Sequence, residues 1–514
     1  MQSLIFVTGD NLNIASPLIE NVDPQHDCVV MCEVDEEATY VPQHRQRLVL
    51  FFSAMRHFRD SLHARGLNVV YSELDDPRNR GSLGAELNRI ASSLKPTRIS
   101  TTRPGDFRVL QALKKTGERL RVPLEVHEDT HFLSTPDDFA AHADNRRQLV
   151  MEGFYRQMRR RHNVLMSGGK PVQDRWNFDH DNRSRIKAND LTSLSPPKAF
   201  APDAITREVI RLVKKRYPNS PGSLNEFDYP VSAEQSVAAL EDFVENRLPD
   251  FGRVQDAMVS DEPYLFHSRL STVLNLHLLD PRVAIDRAVG AYDAKQAPIN
   301  SVEGFVRQIL GWREFVRGVY WRKMPAYAEL NALNAEAPVP AFMWHGDTDL
   351  NCVRHSIGQL VQHGYAHHIQ RLMVLGLLMM LLGARPYDVH RWHMSMYVDA
   401  IDWVSLPNVL GMSQFADGGI VGTKPYCASG SYISRMSNYC KGCRYTPGKA
   451  TGDDACPFTT LYWDFLAQHK SRFSNNRRMT FQLKNLDRKP NLEIKQIRAQ
   501  ARRTRVQLTA HTYL

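Results

Sequence analysis

The chain has 514 residues, a formal net charge of +9 and a hydrophobic content of 42%. This length exceeds one ordinary core and predicts two or more domains, and the charge favours polyanionic partners. The N-terminus MQSLIFVTGD lacks the basic region and the cleavage site of a signal peptide. The most apolar stretch, residues 372–382, is shorter than the roughly 20 residues of a membrane span. We therefore expect a cytoplasmic protein with no membrane segment.

Residues 1–135 alternate between short apolar runs and amphipathic stretches. LIFVTGD, CVVMCEV, LNVVYSEL, STTRP and LEVHED are typical of strands, and LVLFFSAMRHFRDSLHARG has the apolar stripe of a helix that ends at Gly66. The alternation predicts an α/β domain with a parallel, Rossmann-like sheet. Gly9 and Asp10 follow the first strand, at the edge where such sheets bind ligands. Because no G-x-G-x-x-G motif follows, we do not expect a dinucleotide in this domain.

The rest of the chain divides into a linker and a helical region. Residues 136–205 are polar and basic, which predicts a linker over the surface, and helical periodicity dominates residues 206–514. From Lys470 to Arg505 there are twelve Lys and Arg residues against two acidic ones, Asp487 and Glu493. This basic segment is either a solvated helical tail or a contact with phosphates.

The seven cysteines are unevenly placed, which in a reducing compartment favours metal binding over disulfides. Cys440, Cys443 and Cys456 form a C-x2-C-x12-C-P motif, and Cys352 lies 88 residues before Cys440. Four thiolates suit zinc or an iron–sulfur cluster, and a proline after the last cysteine is typical of ferredoxin-type clusters. On these residues alone a cluster, a zinc ion and the absence of a metal all stay open. The spacing of Cys28, Cys32 and Cys427 fits buried small side chains.

Four segments of the helical region have simple explanations when taken singly. They are YLFHSRLSTVLN (264–275), QILGWREF (308–315), YAHHIQRLMVLG (365–376) and YVDAIDWVSLPN (397–408). Ser268 and Ser271 are the residue type of helix caps, Trp312 suits a core, and His367 and His368 suit a polar helix face.

Taken together and in this order, the segments resemble the photolyase/cryptochrome family. S-x-L-S at 268–271 resembles the loop that holds the FAD phosphates, which implies FAD contacts for Ser268, Leu270 and Ser271. W-R-E-F at 312–315 resembles the wall on the lesion side, which implies lesion contacts for Gln308 and Trp312.

The same resemblance gives a role to two charged residues that lie 28 positions apart. Arg371 and Asp399 match the salt bridge that clamps the flavin, with Ala400 as a further contact. An all-helical second domain that binds FAD, after an α/β domain and a long linker, also matches the family.

The cysteines make the chain similar to one subfamily, the iron–sulfur bacterial cryptochromes and prokaryotic (6-4) photolyases. This resemblance implies a [4Fe–4S] cluster on Cys352, Cys440, Cys443 and Cys456. It also implies an antenna chromophore, 6,7-dimethyl-8-ribityllumazine, on the α/β domain. Its pocket would draw on Asp10, Cys32 and Glu37.

The resemblance further implies catalytic and electron-transfer residues. Animal members carry H-x3-H on the active-site helix; here His368 matches the first histidine and Leu372 replaces the second. We expect His368 to donate a proton to the lesion, with His367 in support. Electron transfer to the flavin is expected through Trp344 and Trp392, with Tyr432 as a third member.

Three functions fit the sequence to different degrees. The first is light-driven repair of (6-4) photoproducts in UV-damaged DNA by a monomeric enzyme that uses excited, reduced FAD. The second is a blue-light receptor of the same fold without repair activity. The third, an iron–sulfur DNA-binding protein resembling a primase large subunit, leaves S-x-L-S, W-R-E-F and the α/β domain unexplained. His368 and the basic tail favour the first.

Overall fold

The computed structural model describes residues 2–144, 146 and 148–510. Its first part is a five-stranded sheet in which every strand pair is parallel, with the spatial order β3-β2-β1-β4-β5. The strands are β1 Ser3–Phe6, β2 Cys28–Cys32, β3 Val69–Ser72, β4 Arg98–Thr102 and β5 Leu124–His127. This confirms the Rossmann-like α/β domain, since each strand overlaps one of the five runs predicted from the sequence.

Both faces of the sheet are covered, because strand side chains alternate between two hydrophobic clusters. On β1, Leu4 and Phe6 belong to one cluster, and Ile5 belongs to the main core of the molecule. The helices of this part are α1 Pro17–Glu20, α2 Asp35–Thr39, α3 Arg45–Ala64, α4 Leu83–Leu94 and α5 Phe107–Leu120. The predicted stop at Gly66 is present, since this residue has a φ of 76° two positions after α3.

The segment predicted as a linker contains regular structure. It includes α6 Pro136–Ala143, α7 Met151–His162, a hairpin of β6 Met166–Ser167 and β7 Lys170–Pro171, two 3₁₀ turns (Val172–Asp174 and Asp179–Asn182), and α8 Ala188–Thr192. Phe154 and Tyr155 of α7 are fully buried in the main core. Part of this segment therefore belongs to the packed interior and does not simply run over the surface.

The remainder of the described chain is mainly helical, which confirms the second half of the fold prediction. Its helices are α9 Ala204–Arg216, α10 Ala233–Asn246, α11 Leu248–Val254, α12 Ser271–Asn275, α13 Pro281–Asp293, α14 Ile299–Val306, α15 Glu314–Lys323, α16 Phe342–His345, α17 Asn351–His363, α18 His368–Gln370, α19 Leu377–Leu382, α20 Pro386–Met396, α21 Asp402–Pro407, α22 Gly430–Met436, α23 Pro457–Gln468, α24 Lys470–Phe473, α25 Thr480–Asp487 and α26 Asn491–Thr509, with 3₁₀ turns at Ala326–Glu329 and Arg477–Met479. None of the helices in the described ranges is both long and apolar enough to cross a membrane.

Three π-helical stretches interrupt these helices. They are Arg307–Arg313 between α14 and α15, Arg371–Gly376 between α18 and α19, and Asn408–Ser413 after α21. Such wide turns often mark functional sites. Two of the three coincide with the motifs around Trp312 and Arg371.

The basic C-terminal segment packs against the helical region along α26. The buried Asp464 of α23 accepts hydrogen bonds from Arg498 at 3.3 Å and from Arg505 at 2.6 Å. Lys489 lies over the Trp463 ring, with its amine 4.5 Å from the centroid. These three basic side chains therefore bind the protein itself, and phosphate contact stays a prediction for the remaining ones.

Candidate functional site

A buried ion pair lies at the centre of the helical region. The Arg371 guanidinium, on the π-helical stretch after α18, donates to both carboxylate oxygens of Asp399, at 3.0 and 3.1 Å. It also lies 4.1 Å from the Tyr397 ring centroid, and its Nε donates to the Ala366 carbonyl at 2.5 Å. The predicted pair of Arg371 and Asp399 is thus formed, and its bidentate geometry fixes one cation in place.

The S-x-L-S segment is joined to this pair. Asn275, at the end of α12, donates from Nδ2 to the Asp399 carbonyl at 2.8 Å. Ser268 and Ser271 are half-buried and Leu270 is buried, and the Leu270 amide donates to Ser268 Oγ at 3.3 Å. Two hydroxyls therefore lie at the start of a short helix whose end contacts the Asp399 backbone. This arrangement can present hydrogen-bond donors to a phosphate.

Sequence reasoning missed Arg269, which lies between the two serines of the segment. It adopts a φ of 58°, and its guanidinium donates to Asp228 at 2.6 and 3.1 Å. The same group lies 4.4 Å from the Tyr229 ring and 4.3 Å from the Tyr264 ring. These contacts hold the loop in a strained backbone conformation. The basic residue within the motif was its only signal in the sequence.

Three histidines lie beside the ion pair. His367 is buried, and its ring stacks on that of His267 with centroids 4.5 Å apart and planes 13° from parallel. Neither ring nitrogen of His367 has a hydrogen-bond partner. The next residue, His368, is exposed to solvent although protein atoms surround it, and we infer from this that it faces a water-accessible cavity. His267 was not predicted, since its sequence position is 100 residues away.

The pKa values of all three imidazoles are lowered from the ordinary value of histidine. Burial, together with the Arg371 charge, lowers the pKa of His368 to about 4. Burial, together with His368, lowers the pKa of His267 to about 4. The pKa of His367 also falls well below its ordinary value, mainly through burial. A proton-donor role for His368 therefore requires a bound anion that raises its pKa.

The residues of the W-R-E-F motif differ in their exposure to solvent. Gln308 is exposed and Trp312 is half-buried, so both are available to a ligand. Arg313 and Glu314 are instead buried in the interior, because they point away from that face of the helix. The Glu314 carboxylate accepts the Leu133 and Ser134 amides, both at 3.0 Å.

The predicted electron-transfer residues lie in two places. Trp392 is buried and donates from Nε1 to the carbonyl of Met343 at 3.0 Å, directly before the half-buried Trp344. Its ring meets the Tyr397 ring edge to face, with centroids 5.8 Å apart, and Tyr397 lies under Arg371. Tyr397 was missed and lies between Trp392 and the ion pair. Tyr432 lies on α22, and the guanidinium of Arg435 lies 5.5 Å from the centroid of the Tyr432 ring.

All four predicted cysteines line one small cavity. Cys352, at the start of α17, meets Cys440, Cys443 and Cys456 there, and most other lining residues are apolar. Cys456 is the N-cap of α23, and a Cβ added to Gly430 would lie 2.6 Å from its sulfur. Within the described ranges, no three His, Cys, Asp or Glu side chains are grouped closely enough to hold a single metal ion.

The predicted antenna residues lie near the carboxyl edge of the sheet. Asp10 accepts the amide of Gly105 at 2.6 Å, and Glu37 forms two hydrogen bonds of 2.8 Å with Arg108. The Arg108 guanidinium lies 4.5 Å from the ring of Tyr40. Cys32 belongs to the hydrophobic cluster between the sheet and α4. Asp10 and Glu37 thus offer carboxylates at this edge, whereas Cys32 contributes packing.

Comparisons with known proteins agree with this geometry. Residues 5–229 match the family described as deoxyribodipyrimidine photo-lyase-related protein. Over 479 residues the chain is 44% identical to a (6-4) photolyase of Agrobacterium fabrum, covering 93% of this chain and 94% of that protein.

Two solved structures share the fold at low sequence identity. A class III photolyase from Agrobacterium tumefaciens superposes with a TM-score of 0.58 at 16% identity, covering 99% of this chain and 98% of that one. A Synechocystis cryptochrome superposes with a TM-score of 0.56 at 15% identity, covering 85% and 88% of the two chains. The fold is therefore that of photolyases and cryptochromes. From the identity with the Agrobacterium fabrum protein, the chain belongs to the photolyase family, as the sequence motifs predicted.

The lowered pKa of His367 makes the protein sensitive to acid. Because the unfolded histidine binds a proton near pH 6.5 and the buried one does not, stability should fall as the pH drops below about 6.5. His367→Phe should reduce the slope of unfolding free energy against pH by up to about 1.4 kcal/mol per pH unit. Urea unfolding at several pH values measures this slope. His180→Phe, at an exposed position, should leave it unchanged; equal slopes for wild type and His367→Phe would contradict the prediction.

Proposed function

We propose that this chain is a (6-4) photolyase, which uses light and FAD to repair (6-4) photoproducts in DNA. The observation that carries the proposal is the Arg371–Asp399 pair beside His368, which is exposed to solvent although protein atoms surround it. The 44% identity to a (6-4) photolyase over nearly the whole chain supports the substrate class.

The residues around the pair fit FAD. Ser268 and Ser271 offer hydroxyls for its phosphates, and Arg371 offers a fixed positive charge for a reduced, anionic ring. The hydroxyl of the buried Tyr397 has no hydrogen-bond partner, so it is available to bind a ligand at this site. Ala400 follows the clamping carboxylate, and its carbonyl accepts from Arg47 at 2.9 Å, which ties this segment to α3. When bound and reduced, FAD supplies an electron on excitation by light.

The chain's own residues perform the remaining tasks. Gln308 and Trp312 lie where they can contact a nucleotide that is flipped out of the duplex. His368 holds the proton needed to return a hydroxyl group to its original base. The negative charge of DNA phosphates and of a reduced flavin would raise the pKa of His368 from about 4 and allow it to carry that proton. His367 is stacked in the wall and holds its neighbour in place.

We also propose a path for electrons from the surface to the flavin. Trp344 lies near the surface, Trp392 is buried behind it, and Tyr397 connects Trp392 with Arg371. Edge-to-face contact keeps the aromatic groups close, which matters because tunnelling weakens steeply with distance. Tyr432 stays a separate candidate on α22.

The four-cysteine cavity supports an iron–sulfur cluster. Each cysteine of a [4Fe–4S] cluster binds a different iron, so the four sulfurs surround a volume of several atoms and are not gathered at one ion. Four thiols around a mainly apolar cavity fit this requirement better than the tight tetrahedral grouping that zinc needs, with its short Zn–S bonds.

For the antenna, we propose that 6,7-dimethyl-8-ribityllumazine binds at the carboxyl edge of the sheet. Glu37, Tyr40 and Arg108 supply a carboxylate, an aromatic face and a cation there, and Asp10 lies on the neighbouring loop.

The flavin site is tested by Asp399→Ala. Loss of this carboxylate leaves Arg371 buried without its partner, so the protein should release FAD more readily and be purified with less of it. The flavin content after gel filtration measures this. Asp464→Ala removes an equally buried carboxylate that pairs with Arg505 elsewhere, and should retain FAD. Full retention of FAD by Asp399→Ala would contradict the assignment of Arg371 and Asp399 to the flavin site.

The cluster is tested by adding one methyl group. Purified protein should contain about four irons per chain. Gly430→Ala should lower this content, because the new Cβ would lie 2.6 Å from the sulfur of Cys456. Gly448→Ala is the matched control, since no atom lies within 4 Å of its Cβ position. Zinc in place of iron in anaerobically prepared wild type would contradict the proposal.

The electron path is tested by Trp392→Phe. This variant should bind FAD yet reduce it more slowly under blue light, because the relay loses its buried indole. Absorbance during illumination measures the rate. Trp403→Phe, at an equally buried tryptophan outside the path, should reduce FAD at the wild-type rate. The same rate in both variants would mean that another route carries the electron.

The repair function is tested by His368→Ala with enzyme that is reduced beforehand. The variant should keep FAD and photoreduction but lose repair by a factor on the order of 100 to 10,000, as expected for a general acid. Repair is measured as loss of the (6-4) photoproduct from an oligonucleotide per absorbed photon. His367→Ala should cost less. A wild type that photoreduces but repairs nothing would instead support the receptor function of a cryptochrome, whose fold this chain shares.

A further inference from the structure

A continuous set of buried hydrogen bonds joins the four-cysteine cavity to the histidines. Tyr439 lines that cavity directly before Cys440, and its carbonyl accepts from Asn351 Nδ2 at 2.7 Å. Asn351 in turn precedes Cys352 in α17. Tyr439 is therefore held by both of the chain segments that bring cysteines to the cavity.

The hydroxyl of Tyr439 points away from the cysteines, towards the active-site helix. It accepts a hydrogen bond from Gln370 Nε2 at 2.9 Å, and both side chains are fully or almost fully buried. Gln370 lies one residue before Arg371, at the end of α18.

The amide of Gln370 has a single satisfactory orientation. Its Oε1 accepts the backbone amide of His367 at 3.0 Å and Gln359 Nε2 at 3.2 Å. Its Nε2 donates to Gln359 Oε1 at 2.9 Å as well as to Tyr439. Because the His367 N–H can only donate, reversal of the amide would place donor against donor. Both polar atoms of the Gln370 amide are therefore satisfied, which specifies one orientation of this side chain.

His367 connects this hydrogen-bond network to the turn that carries His368 and Arg371. It caps α18, and its carbonyl accepts the amide of Arg371 at 3.1 Å. A shift of the His367 backbone would therefore move His368 and Arg371 together, and both face the flavin and the lesion in the function proposed above.

We propose that Tyr439 and Gln370 are positioning residues, which connect the four-cysteine site to the turn carrying His367, His368 and Arg371. The inference rests on the proposed function, since it gives the cluster a role in shaping the repair site. Coupling of this kind is reciprocal: the state of the turn must affect the retention of the cluster as much as the cluster affects the turn.

The first test removes the connecting hydroxyl. Tyr439→Phe should keep iron and FAD, change the fine structure of the flavin absorption band, and lower the repair yield of pre-reduced enzyme by a factor of about three to ten. Tyr327→Phe is the control, since it deletes an equally buried hydroxyl that donates to Asp417 at 2.8 Å. It should leave the flavin band and the yield unchanged.

The second test approaches the connection from the other end. Gln370→Met lies outside the cysteine cavity, yet it should speed the release of iron to a chelator and change the flavin band as Tyr439→Phe does. The double variant should be no worse than either single one, because both delete the same contact. This measurement holds even if Tyr439→Phe fails to fold.

The outcomes separate this inference from the proposed function. A wild type without iron would overturn this inference and the proposed cluster, while repair activity would still support the proposed function. Suppose that the wild type contains iron and flavin. This inference alone is then overturned if Tyr439→Phe and Gln370→Met behave like Tyr327→Phe. It is also overturned if the effects of the two substitutions add in the double variant. A wild type that repairs nothing removes the repair readout, while the flavin band and iron release still decide the coupling.

Discussion

The ion pair between Arg371 and Asp399 is the constraint on which the candidate site depends. A buried guanidinium is costly unless a carboxylate and further hydrogen bonds compensate it, and here Asp399 is held by Asn275 through its own carbonyl. Three segments far apart in sequence thus meet at one charge. The S-x-L-S segment, the helix that carries Arg371 and the segment after α20 therefore cannot move independently.

The electrostatics of the cavity follow from that charge. A fixed cation beside three neutral histidines makes the enclosed space attractive to an anion before any ligand enters. Burial is the main cause of the lowered histidine pKa values, and the Arg371 charge lowers them further. The negative charge of a bound polyanion would instead raise the pKa values of these histidines. In the function proposed above, binding of a polyanion and protonation of His368 are therefore linked.

The sequence predicted the sheet and the positions of the main motifs, because strand alternation and helical periodicity are local properties. The resemblance also identified Arg371 with Asp399, a contact that is formed. His267, Tyr397 and Gln370 were not predicted, since their importance comes from neighbours brought together only by folding. W-R-E-F illustrates the same limit, because adjacent residues on a helix face different surroundings. Trp312 is half-buried, while Glu314 is fully buried.

Glu314 has a consequence for how the two halves of the molecule are arranged. Its carboxylate binds the backbone of Leu133 and Ser134, where the chain leaves the α/β domain, so a helix of the second domain holds the end of the first. Resonance energy transfer falls steeply with separation and depends on the mutual orientation of two dipoles. If the proposed antenna chromophore binds at the sheet edge, this carboxylate would help to hold its distance and orientation relative to the helical region, together with contacts such as that of Arg47 with the Ala400 carbonyl.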